Sequence, residues 1–176
     1  MLPEIRSGEG RLTLGATLTL FGIMAAHTVL ETARDALFLA RLPSSHLALV
    51  YLLIAVASLV IFAAGRRRPA ASSDVGALGA GLVLAAVISG AFWLLHSDER
   101  SWLLYGLYVW CGISASLTIA GFWLLASGLF NIQQAKRLFP AVALGGILGA
   151  TVGAGLGALL AAKLEARDLL LAAAVL

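Results

Sequence analysis

Uncharged apolar stretches alternate with short charged groups along the whole chain. They cover residues 12–30, 42–65, 75–97, 101–135 and 138–162. A helix rising about 1.5 Å per residue needs about 20 residues to cross a hydrocarbon layer of about 30 Å, and each stretch approaches or exceeds that length. The pattern predicts helices over residues 12–42, 46–64, 75–95, 102–130 and 139–162, with a sixth over 169–176. Eight residues cannot span a bilayer, so the expectation is an N-terminal six-helix unit over 1–176, truncated in helix 6. Helix 1 exceeds a span and should tilt or project. Pro43 should stop it, and Ser44 or Ser45 can cap helix 2. Ser72, Ser73 and Asp74 are candidate caps for helix 3, and Ser101 for helix 4. Pro140 fits the first turn of helix 5, where no amide donor is needed.

Composition fixes the class. Hydrophobic residues make up 61% of the chain and charged residues 12%, more apolar surface than a soluble domain of this size can hide. The expectation is an all-α integral membrane protein. Its charges are unevenly placed. With a cytoplasmic N-terminus, Arg6, Arg11, Arg66, Arg67, Arg68, Lys136 and Arg137 lie inside. Arg41, Arg100, Lys163 and Arg167 lie outside, three of them beside carboxylates, and this excess of inner cations favours that orientation. Trp93, Trp102 and Tyr105 cluster around the outer turn between helices 3 and 4, as amphipathic rings do at a membrane surface. The Arg66–Arg68 run sits in a tight loop between spans and gives no case for a nucleic-acid partner. Cys111, the single cysteine, can form no internal disulfide. The first span is too long for a cleavable signal and lacks a cleavage site.

Chemistry concentrates on helix 1. At about 100° per residue, with His27 at zero, Glu31 lies at about 40°, Arg34 at about 340° and Asp35 at about 80°. The four share one face about 100° wide, bordered by Thr28 and Thr32. Glu31 and Arg34 are spaced to pair, which reduces the desolvation cost of each. Ionisable groups at membrane depth are costly and rarely face lipid, so they mark a substrate or ion site. A guanidinium suits an anion, especially a phosphate, through its planar fork. A carboxylate suits a coupling proton or a gate. The competing reading is a cluster at headgroup level that merely ends a long helix. His27 serves equally as a helix–helix hydrogen-bonding group or a proton relay, and His46 and His96 stand at helix ends, where solvation is expected.

A second polar group, Asn131, Gln133, Gln134, Lys136 and Arg137, is expected in a cytoplasmic loop before helix 5, as a topology signal or a cytoplasmic gate. Gly145, Gly149, Gly153 and Gly157 recur every four residues, the spacing of a close-packing ridge between membrane helices. A nucleotide-binding loop is not favoured there, since no strand precedes it. No group of residues has metal-ligand spacing, and no nucleophile is paired with a base, so no cofactor or enzyme activity is expected.

Two stretches carry a resemblance. Leu30 to Leu39, LETARDALFL, resembles the first-helix motif of the ATP/ADP translocase family of plastids and intracellular bacteria. Phe122 to Gly146, with its Ala-Lys-Arg-Leu-Phe core, is similar to that family's segment joining helices 4 and 5. The resemblance implies a fold like the major facilitator superfamily, two six-helix halves, and a bacterial inner-membrane location. It also implies Arg34 as the basic substrate-binding residue with Asp35 beside it, and Lys136 and Arg137 as the cytoplasmic loop. One departure is that the family's nucleotide exchangers carry a carboxylate within helix 4, whereas residues 101–135 are uncharged and Cys111 stands near that position. The expected function is secondary transport of an organic anion, a nucleotide first. Its partners would be that substrate, the lipid bilayer and a missing C-terminal half. Arg34, Glu31, Asp35 and His27 are the expected binding residues. The alternatives are a proton-coupled exporter with Glu31 or Asp35 as carrier, and a non-transporting membrane module fused to a regulatory domain.

Overall fold

The computed structural model describes residues 6, 8–65, 75–95 and 101–176. Among them are six helices and no strand: α1 (Gly10–Leu39), α2 (His46–Gly65), α3 (Val75–Leu95), α4 (Ser101–Leu129), α5 (Ile132–Ala161) and α6 (Asp168–Val175). The Arg66–Arg68 run, the expected caps Ser72 to Asp74, and His96 to Arg100 lie outside the described residues. The helices α1, α3, α4 and α5 are each long and apolar enough to cross a membrane, while the described apolar part of α2, His46–Ile61, is shorter. This is compatible with a multi-pass membrane protein.

The surface differs from that of a water-soluble bundle, although Leu30, Phe38, Leu104 and Tyr108 form an ordinary apolar core. Large aliphatic side chains point outward, such as Leu59 at 69% and Leu94 at 71% exposure, while the buried face of α5 is mostly glycine and that of α3 is Ser89 alone. In water such surfaces would drive aggregation; against lipid tails they cost nothing.

The first helix is the hub. It packs most extensively on α5 and also on α4 and α6, while α3 packs on α6 and α4, and α2 packs on α4. A side chain at Gly145, Gly149 or Gly153 would meet the backbone of Thr17, Phe21 or Ala25 respectively. Both series rise together in steps of four, so α1 and α5 run parallel with their backbones nearly touching. At that separation dispersion and Cα–H···O contacts replace side-chain interdigitation. Gly157 continues the seam against the Thr32 hydroxyl. All four glycines thus face α1.

Helix 5 begins earlier than the pattern predicts, at Ile132 and not near 139, so Gln133, Gln134, Lys136 and Arg137 are helical and not in a loop. The cause is local. Asn131 and Gln134 form a capping box, the Asn131 carboxamide accepting from the Gln134 amide at 2.9 Å and the Gln134 side chain accepting from the Asn131 amide at 3.1 Å. That box satisfies two end donors and starts the helix eight residues ahead of Pro140. Pro140 then lies inside the helix, where its missing N–H leaves the Lys136 carbonyl without its usual partner. Helix 1 ends at Leu39, three residues early, because the amides of Arg41 and Leu42 both turn back to the Phe38 carbonyl. Pro43 disfavours helical geometry just before it, so the chain tightens and stops there.

The seam can be tested by two substitutions on one helix. Gly149→Ala forces a methyl group into the Phe21 backbone and should cost about 1–3 kcal/mol. Gly155→Ala points into open space and should be neutral or stabilising by up to about 1 kcal/mol. Thermal unfolding in detergent measures both, and equal effects would rule out the backbone seam.

Candidate functional site

The helical period brings His27, Glu31, Arg34 and Asp35 into one connected chain of contacts. His27 Nε2 lies 3.5 Å from Glu31 Oε1, Arg34 Nη1 lies 3.7 Å from the same oxygen, and Arg34 Nε donates to Asp35 Oδ1 at 2.9 Å. Asp35, the neighbour in sequence, is thus a closer partner for Arg34 than Glu31. Arg34 itself is only 6% exposed, whereas its two carboxylate partners are about half exposed. The cation points inward and the anions rim it.

What Arg34 points at is an aromatic ring. Its guanidinium carbon lies 4.0 Å from the centroid of Tyr108 on α4. A cation over a ring face is attracted by the ring quadrupole, more strongly when both are desolvated, and Tyr108 is fully buried. The Tyr108 hydroxyl lies 3.3 Å from that of Tyr51 on α2, and its ring meets Phe38 edge-on at 5.0 Å. His46 at the start of α2 is half-buried and hydrogen-bonds the Tyr105 hydroxyl. The first, second and fourth helices are therefore tied together at one end of the bundle. At the same end Trp93 Nε1 donates to Asp168 at 3.1 Å and Arg167 stacks on the Trp93 ring, joining α3 to α6.

Thr28 and Thr32, which border this face in the sequence pattern, do not contribute to it. Each hydroxyl donates to a carbonyl of its own helix, at 2.7 and 2.9 Å. Lys136 and Arg137 do not approach Arg34 either. Arg137 lies at the far end of the bundle, where its Nη2 donates to both carboxylate oxygens of Glu9 at 2.7 and 2.9 Å, about 37 Å away along α1 at about 1.5 Å per residue. Gln134 adds a further donor to Glu9 at 3.2 Å. This clasp joins the start of α1 to the start of α5, beside the glycine seam. Lys136 faces a separate hollow walled by Trp123, Phe130 and Phe139.

Between the two ends lies a cleft of about 410 Å³, walled by α1, α3, α4 and α6. Its lining residues are Leu18 to Leu30 on α1, Leu82 to Ser89 on α3, Ser114 to Ile119 on α4 and the last residues of α6 with Leu176. His27 belongs to this lining; Arg34 does not. The structure thus divides the expected binding residues. His27 reaches the cleft, and Glu31 links it to an Arg34 that sits about two turns nearer the end of α1, against Tyr108. Tyr51, Tyr108 and Ser89 were not singled out from sequence. Tyrosines in an uncharged span are a signal for the first two, since each hydroxyl needs a buried partner.

Comparison of the chain with protein-family models, curated proteins and solved structures finds no match.

The Glu9 clasp gives a pH prediction. The Arg6 backbone amide, then Gln134 and the Arg137 guanidinium, outweigh desolvation and hold the Glu9 carboxyl below the ordinary carboxylate range. A carboxyl with a lowered folded value contributes stability above its unfolded value and loses it as pH falls through the folded one. The melting temperature should therefore fall more steeply with acidification in the native protein than in Glu9→Gln. Parallel profiles would show that the clasp carries no stability.

Proposed function

We propose that this chain forms one six-helix bundle of a secondary transporter for small organic anions, nucleotides first, working by alternating access. The observation that carries the proposal is a buried Arg34 held by Asp35, Glu31 and the Tyr108 ring, linked through Glu31 to His27. Transporters of this kind place their sites near the bilayer midplane and alternate access by rocking one bundle against another. In this reading the fold is of the major facilitator type. The Glu9 end faces the cytoplasm of a bacterial inner membrane, and the Arg34 end faces outward.

Arg34 would then do two jobs in sequence. With no anion bound, its fork is held by Asp35 and Glu31 and its face by Tyr108, which ties α1 to α4 and closes the outer end. An incoming phosphate or carboxylate competes with those two carboxylates for the same N–H groups. Its binding frees Glu31 and Asp35 to water and weakens the tie. Substrate binding is thereby coupled to opening, because the anion interacts differently with the closed and open states. A proton-coupled variant is favoured by one contact, the His27–Glu31 pair at 3.5 Å, since His27 lines the cleft and Glu31 touches Arg34.

The test is uptake of labelled ATP and ADP into vesicles carrying the protein. Saturable uptake driven by internal nucleotide is expected, lowered at least roughly tenfold by Arg34→Ala, the cost expected for losing a charge-assisted hydrogen bond. Arg34→Lys should recover only part of it, because an ammonium lacks the fork. No uptake by folded protein, or uptake unchanged in Arg34→Ala, would overturn the proposal.

A further inference from the structure

The four clustered side chains of α1 do not balance in charge. Arg34 carries one positive charge, while Glu31 and Asp35, both in contact with it, each carry a negative one when ionised. A surplus charge among long apolar helices is costly, and a bound cation or a proton removes it. A proton has a place to go. His27 Nε2 stands 3.5 Å from Glu31 Oε1, its side chain only 14% exposed, and imidazole changes charge between about pH 5 and 8.

Depth separates the two carboxylates. At about 1.5 Å per residue, Asp35 lies about 6 Å from the end of α1, Glu31 about 12 Å and His27 about 18 Å. Asp35 is the carboxylate nearer to water, and the His27–Glu31 pair is the deeper partner of Arg34. The groups that face the cluster from neighbouring helices are neutral. Tyr108 and Cys111 come from α4 and Tyr51 from α2, and phenols and thiols hold their protons through most of this range. From α5 the facing residues are Gly153 and Gly157. Arg167 and Asp168, at the start of α6, are engaged with Trp93. Arg41, Lys163 and Glu165 lie exposed beyond the ends of α1 and α5.

We infer that anion binding at Arg34 takes up a proton at the His27–Glu31 pair. This rests on the transport reading and names the ion coupled to the substrate at that same site. An incoming anion takes the guanidinium N–H groups that Glu31 and Asp35 now hold. Glu31 is left beside His27 without its cation, and a proton from solvent offsets one negative charge of the anion. The two residues touch, so that titration belongs to the pair and not to either member. Protonation and anion binding then favour each other by the same factor. The sign follows: anion affinity rises as pH falls.

The test is equilibrium binding of labelled sulfate, whose charge is constant over about pH 5 to 8, to the protein in lipid nanodiscs with a chelator present. Affinity should tighten roughly three- to tenfold per pH unit over part of that range, with uptake of about a half to one proton per sulfate in weak buffer. Glu31→Gln removes the surplus charge, so it should bind sulfate more tightly at the upper end of the range and lose most of the slope. His27→Gln keeps the carboxylate and removes its partner, so the profile should keep its slope and move along the pH axis. Arg34→Ala should abolish binding. Absent sulfate binding, an affinity that ignores pH, or one that follows added magnesium and not pH overturns the inference, and a profile unmoved by His27→Gln overturns the pairing. Arg34-dependent nucleotide uptake beside a pH-independent sulfate affinity would defeat the proton linkage alone. Proton-linked sulfate binding without nucleotide uptake would defeat the transport reading and leave the linkage standing.

Discussion

A guanidinium buried inside a bundle of long apolar helices has to be surrounded before anything else can be arranged. Its charge cannot be removed, because arginine holds its proton under all ordinary conditions. Arg34 lies about 8 Å from the end of α1, at about 1.5 Å per residue, and it is met from three directions: Asp35 and Glu31 on its own helix and the face of Tyr108 on α4. Tyr108 is in turn held by Tyr51 and Phe38. The relative placement of α1, α2 and α4 at this end follows from solving that one electrostatic problem.

The opposite end has a different anchor. There Glu9 and Arg137 join the starts of α1 and α5, and the glycine ridge carries that pairing up the length of both helices. With α5 fixed so closely along one side, α1 presents its remaining faces to α4 and α6, and the cleft opens beside that packing. A rigid pair and a set of helices tied mainly at their ends is an arrangement in which one part can move against another. The cleft between α1, α3, α4 and α6 lies at the meeting of those parts.

Much of this was legible in the chain. Long uncharged stretches placed the helices within a few residues at most ends, because cost in lipid leaves few alternatives to helix. The one large error was the start of α5. The Pro140 rule suggested a first turn there, but Asn131 and Gln134 form a capping box that starts the helix earlier, and that signal was present in the residues. The face shared by His27, Glu31, Arg34 and Asp35 followed from the helical period alone. Its partner did not. Nothing local announces that Tyr108, 74 positions along the chain from Arg34, covers the guanidinium, since that contact depends on how α1 and α4 cross. The inward placement of Ser89 was hidden for the same reason: a serine in a span reads the same whether it faces lipid or other helices.

The central claim is that Arg34 and Tyr108 interact across the bundle. A double-mutant cycle measures it most directly, with Arg34→Gln, Tyr108→Leu and the double variant compared by thermal unfolding in one detergent. A coupling of about 1–2 kcal/mol is expected for a desolvated cation over a ring, with the second substitution costing much less once the first is made. Additive effects, with all three variants folded, would contradict the interaction and with it the tie between α1 and α4.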